Sequence, residues 1–125
     1  MPAAEQFSIA LQATGPVVVL VAAGEVDAHS VNDLGAAFES VVTEHDRHVV
    51  IDAAGITFID STGITALVAG MRRLNRSRRR LALACAPGSP LGRALAMTGL
   101  DRSFEVHPTA EAAIGALSAA PLLGR

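Results

Sequence analysis

Residues Val17 to Ala23 read Val-Val-Val-Leu-Val-Ala-Ala, an unbroken apolar run dominated by β-branched side chains. Branching at Cβ suits a pleated surface. With no polar residue at alternate positions, neither face of such a strand can be left to water. The run therefore predicts a strand covered on both faces, which in turn demands a layered fold. It is far too short to cross a bilayer, which takes about 20 apolar residues.

The neighbouring segments say what the layers are. Phe7, Ile9 and Leu11 alternate with Ser8, Ala10 and Gln12, the period of a half-buried strand, and Thr14-Gly15-Pro16 turns the chain back. Gly24-Glu25-Val26-Asp27 is expected to break the second strand. Ser30 then offers an N-cap, with Asp33 three residues later as a capping-box variant. Val31, Leu34, Phe38, Val41 and Val42 follow at helical spacing. His48 to Ala53 predicts a third strand, about Ser61 to Asn75 a second helix (Ile64, Leu67, Val68, Met71 and Leu74 inside), and Leu81 to Ala84 a fourth strand. Ser89-Pro90 and Gly99 bracket a short helix as cap, first-turn proline and glycine stop. Phe104 to Val106 predicts a last strand, and Thr109 caps a last helix containing Ile114 and Leu117. After the first hairpin-like pair, strands and helices alternate. The expectation is a single α/β domain over residues 1–125, core about 5–118. Its sheet is mixed and mostly parallel, with four to five strands and about four helices.

The length suits one domain with a core of its own. The first six residues, Met1 to Gln6, contain neither a basic nor an apolar signal region. The single cysteine, Cys85, excludes an intramolecular disulfide and a multi-thiolate metal site. These features predict a cytoplasmic protein. The net charge of −2 and the absence of Trp and Tyr argue against a nucleic-acid partner. The charge is unevenly placed, because all ten basic residues are arginine and six fall between Arg72 and Arg80.

The polar knot Asp60-Ser61-Thr62-Gly63 stands where the strand-like run through Ile59 meets the helix. Ser61 or Asp60 can cap that helix, and capping alone accounts for either. Gly63 is a poor choice for helix stability, costing about 0.5–1 kcal/mol against alanine, so it points to close approach. A helix start also favours anions, so a phosphate on Ser61 would be tolerated there. It would bring about −1.5 to −2 charges and reverse the sign of the neighbouring surface.

These residues resemble the STAS-domain anti-sigma-factor antagonists of bacterial sporulation and stress control. The matching pieces are Gly24-Glu25-Val26-Asp27, Val49-Val50-Ile51-Asp52, Phe58-Ile59-Asp60-Ser61-Thr62-Gly63, and Pro90 through Met97-Thr98-Gly99-Leu100. The likeness runs from about Phe7 to Leu117. It implies that Ser61 is the phosphorylated serine, with Thr62 the second-choice acceptor. An ATP-dependent anti-sigma factor serine kinase would modify it, and a PP2C-type phosphatase would reverse the change. Unmodified, the protein would bind the anti-sigma factor and release a sigma factor. Asp27, Asp60, Ser61, Thr62 and Gly63 would form the partner-binding surface, edged by His29. The resemblance implies no cofactor, no metal and no catalysis.

Other readings compete. Asp27 and Asp60 could form an acid–base pair, but nothing supplies the remainder of a catalytic site. No pair among His29, His45, His48 and His107 has helix-borne metal spacing; solvated or strand-end positions are expected. Cys85 reads as a small buried hydrophobe. The Arg72–Arg80 run reads as a solvated basic patch at a helix C-terminus, with an acidic partner, nucleic acid or anionic lipid as alternatives. The domain could also be an unphosphorylated STAS scaffold or small-ligand sensor in which Ser61 only caps.

Overall fold

The computed structural model describes residues 6–119. Five strands form one sheet in the order β1-β2-β3-β4-β5: β1 Ser8–Thr14, β2 Val17–Val26, β3 His48–Ile59, β4 Leu81–Ala84 and β5 Glu105–His107. β1 is antiparallel to β2, and every other pairing is parallel. The connections carry α1 Val31–Glu44, α2 Ser61–Arg76 and α3 Pro90–Thr98, and α4 Ala110–Ser118 follows β5. The order of elements and the mixed, mostly parallel sheet are those expected from the sequence. The N-terminal residues before Gln6, and the tail from residue 120, lie outside the described residues.

The two-sided burial of β2 has a direct cause. Val18, Leu20 and Ala22 face one core with Leu34, Phe38, Val41, Leu67, Leu74, Leu91 and Leu95 of α1, α2 and α3. Val17 and Val19 face the other, with Val50, Ala82, Ala84 and, from α4, Ala113 and Leu117. Three helices thus cover one face and α4 covers part of the other, so β2 and β3 cannot alternate with polar residues. β1 is an edge strand. Ile9 is half-buried and Leu11 is exposed, so its alternation reflects only shallow burial.

Several boundaries differ from expectation. Gly24 to Asp27 does not break β2, which runs on to Val26 through an irregularity in its pairing with β3. Gly24 takes φ +93, and a Cβ there would lie 2.2 Å from the Gln6 carbonyl oxygen. The glycine kinks the strand under a crossing backbone without ending it. β3 extends to Ile59, six residues past the expected end at Ala53, because paired backbone continues through the exposed Ala54, Gly55, Thr57 and Phe58, with Ile56 still in the core. β5 is shifted one residue C-terminal, leaving Phe104 as a buried plug before it. Ser30 occupies the N-cap position of α1, but its hydroxyl caps no helix N–H. It donates instead to the Glu25 carbonyl at 2.8 Å and accepts from the Asp27 N–H at 2.9 Å, so the capping box with Asp33 is replaced by a bond that closes the β2–α1 loop.

Candidate functional site at the start of α2

The site lies where β2 and β3 end together. The Asp60 N–H donates to the Val26 carbonyl at 3.1 Å, extending the ladder by one rung and tying the start of α2 to the loop that begins at Asp27. Asp60 itself is extended (φ −105, ψ −175), and its carboxylate accepts from the Gly63 N–H at 3.1 Å. Of the two residues able to cap α2, Asp60 does so. Ser61 is the first helical residue and is exposed, with its backbone carbonyl accepting from the Thr65 hydroxyl at 2.8 Å. No hydrogen bond among the described residues uses the Ser61 hydroxyl.

Gly63 is buried for a packing reason. A Cβ there would lie 2.7 Å from Val26 Cγ1 and 2.8 Å from Ile59 Cγ1. Its absence lets the first turn of α2 sit directly on the ends of both strands, which fixes where Ser61 emerges. Asp27 is half-buried and shapes the adjoining loop, its carboxylate accepting from the His29 N–H at 2.9 Å and the Ser30 N–H at 3.2 Å. His29 is exposed beside it.

The expected surface is therefore gathered at one end of the sheet, but as two neighbouring depressions. Glu25, Asp27, His29, Ser30 and Asp33 line one of about 320 Å³ together with Gln6 and Phe7. Val31, Ser61, Thr62, Thr65, Ala66 and Ala69 line the other, of about 460 Å³. Asp60 and Gly63 line neither; they hold Ser61 in place from beneath. Thr65, Ala66 and Ala69 were not singled out from the sequence, and Val31 was read only as a helix-stripe position, although Thr65 and Ala69 follow Ser61 at i+4 and i+8 and so share its face. Among the described residues no cluster of three or more His, Cys, Asp or Glu could hold a metal ion.

The far end of α2 departs from expectation. The arginine run is not a uniformly solvated patch. Arg79 is buried, and its guanidinium donates to the carbonyls of Val41 and Val42, both at 3.1 Å, and to that of His45. It thereby bonds carbonyls at the C-terminus of α1, of which that of Val41 also accepts from the His45 N–H at 3.2 Å, and burial lowers its pKa from the ordinary guanidinium value. Arg80 donates to Glu105 at 3.1 and 2.6 Å, and Arg73 pairs with Glu39 across the α1–α2 seam. Burial alone would raise the pKa of Glu105, but hydrogen bonds from His107 and Arg80 outweigh it and hold the carboxyl below its ordinary range. His48 sits at a strand start as expected but is fully buried, its Nδ1 accepting from the Arg80 N–H at 3.0 Å. Cys85 is buried, which pushes its thiol pKa up.

The STAS domain family model matches residues 8–113. The chain belongs to the STAS domain family. It is 28% identical over 109 residues to the anti-sigma-F factor antagonist RsfB of Mycobacterium tuberculosis, covering 87% of this chain and 88% of that protein. The crystal structure of an anti-sigma factor antagonist from Mycobacterium paratuberculosis superposes with a TM-score of 0.78 at 25% identity, over 94% of this chain and 98% of that one. The phosphorylated form of the Bacillus cell fate determinant SpoIIAA shares the fold at a TM-score of 0.64 and 24% identity, over 87% of this chain and 98% of that one. No helix among the described residues of this STAS protein is long and apolar enough to cross a membrane.

Proposed function

We propose that this STAS protein is a single-domain, cytoplasmic anti-sigma-factor antagonist controlled by phosphorylation of Ser61. Unmodified, it binds an anti-sigma factor through the surface around Asp27, His29, Ser61 and Thr62, held from beneath by Asp60 and Gly63, and so releases a sigma factor. A serine kinase, the anti-sigma factor itself, switches it off, and a PP2C-type phosphatase restores it. The chain acts as ligand and substrate, not as an enzyme.

One observation carries this reading: Ser61 is exposed at the first position of α2 while Asp60 supplies the cap. A phosphate on Ser61 leaves that cap intact, meets the positive end of the helix dipole, and adds about −1.5 to −2 charges to the surface. Against a partner carboxylate about 6 Å away, repulsion is roughly 3 kcal/mol per unit charge pair at an effective dielectric near 20. Since about 1.4 kcal/mol is a tenfold change, binding weakens on the order of a hundredfold.

The test is phosphate incorporation from ATP by the cognate kinase, mapped by mass spectrometry in wild type, Ser61→Ala and Thr62→Ala. Wild type and Thr62→Ala are labelled and Ser61→Ala is not; equal labelling of Ser61→Ala removes the assignment. Ser61→Asp should lose about a hundredfold in anti-sigma affinity with an unchanged melting temperature.

A second reading has its own observation. An apolar cavity of about 370 Å³ lies between α3 and β5, lined by Cys85, Leu95, Ala96, Val106 and His107 among others, a size within the range of small-ligand sites. A ligand-sensing STAS domain would gain thermal stability from a small apolar compound with no kinase present, and labelling of Ser61 would play no part in its response.

A further inference from the structure

Three of the six clustered arginines are used by the fold: Arg73 by Glu39, Arg79 by the end of α1 and Arg80 by Glu105. The guanidinium groups of Arg72, Arg76 and Arg78 make no hydrogen bond or ion pair among the described residues. Two of these, Arg72 and Arg76, lie on α2 in a telling register. Thr62, Thr65, Ala69, Arg72 and Arg76 are spaced three, four, three and four residues apart and are all exposed. At 3.6 residues per turn they form one stripe along the helix. The stripe begins beside Ser61 with small side chains and ends in two cations. Depressions flank it at both ends, one closed by Val31 of α1 and one by Val42 of α1 with Arg73, Arg76 and Ser77.

We infer that the whole exposed stripe of α2 is one docking surface, and that its occupant is a helix of the anti-sigma factor. That helix sets small or apolar side chains against Thr62, Thr65 and Ala69, and carboxylates against Arg72 and Arg76. The inference rests on the proposed function and adds the chemistry of the partner. Small side chains at one end permit close approach of a second helix, as in helix-in-groove recognition, and the cations at the other fix its direction by charge complementarity. Ser61 and Arg72 are eleven residues apart, roughly 16 Å along a helix at 1.5 Å per residue. That exceeds the Debye length of about 8 Å at physiological ionic strength. A phosphate at Ser61 therefore disrupts one end of the surface without neutralising the other, and the two ends contribute independently.

The experiment uses the full chain and the purified kinase that labels Ser61, with affinity measured at low and physiological salt. The variants are Arg72→Glu with Arg76→Glu, Arg72→Gln with Arg76→Gln, and Ser61→Asp. The double charge reversal should weaken binding by about tenfold or more with a shallower salt dependence. The glutamine pair should lose less in the same direction and melt close to wild type, the charge-reversed pair should melt only slightly lower because Arg76 lies in the last turn of α2, and the loss should multiply with that of Ser61→Asp. If both arginine pairs bind with wild-type affinity and salt dependence while Ser61→Asp still fails, the inference is overturned and the phosphoswitch stands. If no kinase labels or binds the wild type, the phosphoswitch itself fails and the inference falls with it. If sedimentation finds a wild-type dimer that the charge reversal dissolves, the occupant is a second copy and the inference is likewise overturned.

Discussion

At its first turn α2 is capped by its own neighbour Asp60, and Ser61 is left exposed. Past its last turn the chain sends Arg79 across to α1, where the guanidinium serves as a cap for another helix. Both ends carry a dense polar sequence. At the start, polarity is satisfied locally, so a side chain can change charge without disturbing the fold. At the far end, Arg73, Arg79 and Arg80 are spent on long-range bonds while Arg72, Arg76 and Arg78 stay exposed, so one arginine of an apparent surface patch is a structural post.

The comparison can be broken most forcefully at Arg79. Arg79→Ala removes a buried donor from the carbonyls of Val42 and His45, while that of Val41 keeps the His45 N–H, so stability should drop by about 3 kcal/mol in urea unfolding. Arg79→Lys should recover only part of this, since a point charge cannot fork to several carbonyls. A loss no larger than that of an exposed arginine would mean that Arg79 is a surface residue like Arg72 and Arg76.

Gly63→Ala probes the other end. The added Cβ crowds Val26 and Ile59, and the overpacking outweighs the helix propensity that alanine returns, for a net loss of about 1–2 kcal/mol. Amide exchange should quicken first at the start of α2. Asp60→Ala deletes the local cap and should cost about 1 kcal/mol, with kinase labelling of Ser61 retained at a reduced rate. An unchanged stability would show that Ser61 can take over the cap, and would narrow the contrast between the two ends.

The smallest effect concerns pH and Glu105. Its folded pKa lies below the ordinary value of 4.5. The stability it adds through Arg80 and His107 is therefore present above that value and is lost as pH falls through the folded pKa. Acid titration of wild type should show this loss, less than about 1 kcal/mol for so exposed a pair. Glu105→Gln should flatten the profile below pH 4.5 and leave Ser61 labelling untouched.

Most of the fold was legible because its cause is local. The two-faced burial of β2 follows from an apolar run with no alternation, and the α3 brackets follow from side chains that bond within three residues, as Ser89 does to Gly92 at 3.1 Å. The position of Ser61 at a helix start was legible for the same reason. The unbroken extension of β3 from Ala53 to Ile59 was only partly legible: the apolar run through Ile59 was visible, but the strand paired to β2 also holds Ala54, Gly55, Thr57 and Phe58, which are exposed. The fate of Ser30 was hidden too: its bond to the Glu25 carbonyl depends on how the loop folds back.

The sequence by itself determined the order of elements, the layered α/β class and the place of the Asp60-Ser61-Thr62-Gly63 knot, since these depend on hydrophobic period and on bonds between near neighbours. Only the tertiary structure decided which polar groups are used. Asp60, not Ser61, caps α2 because Val26 holds the Asp60 backbone extended. Arg79 is buried and Arg72 exposed because the end of α1 lies over one and not the other. Such choices rest on contacts between residues dozens of positions apart, and hydrophobic period carries no record of those.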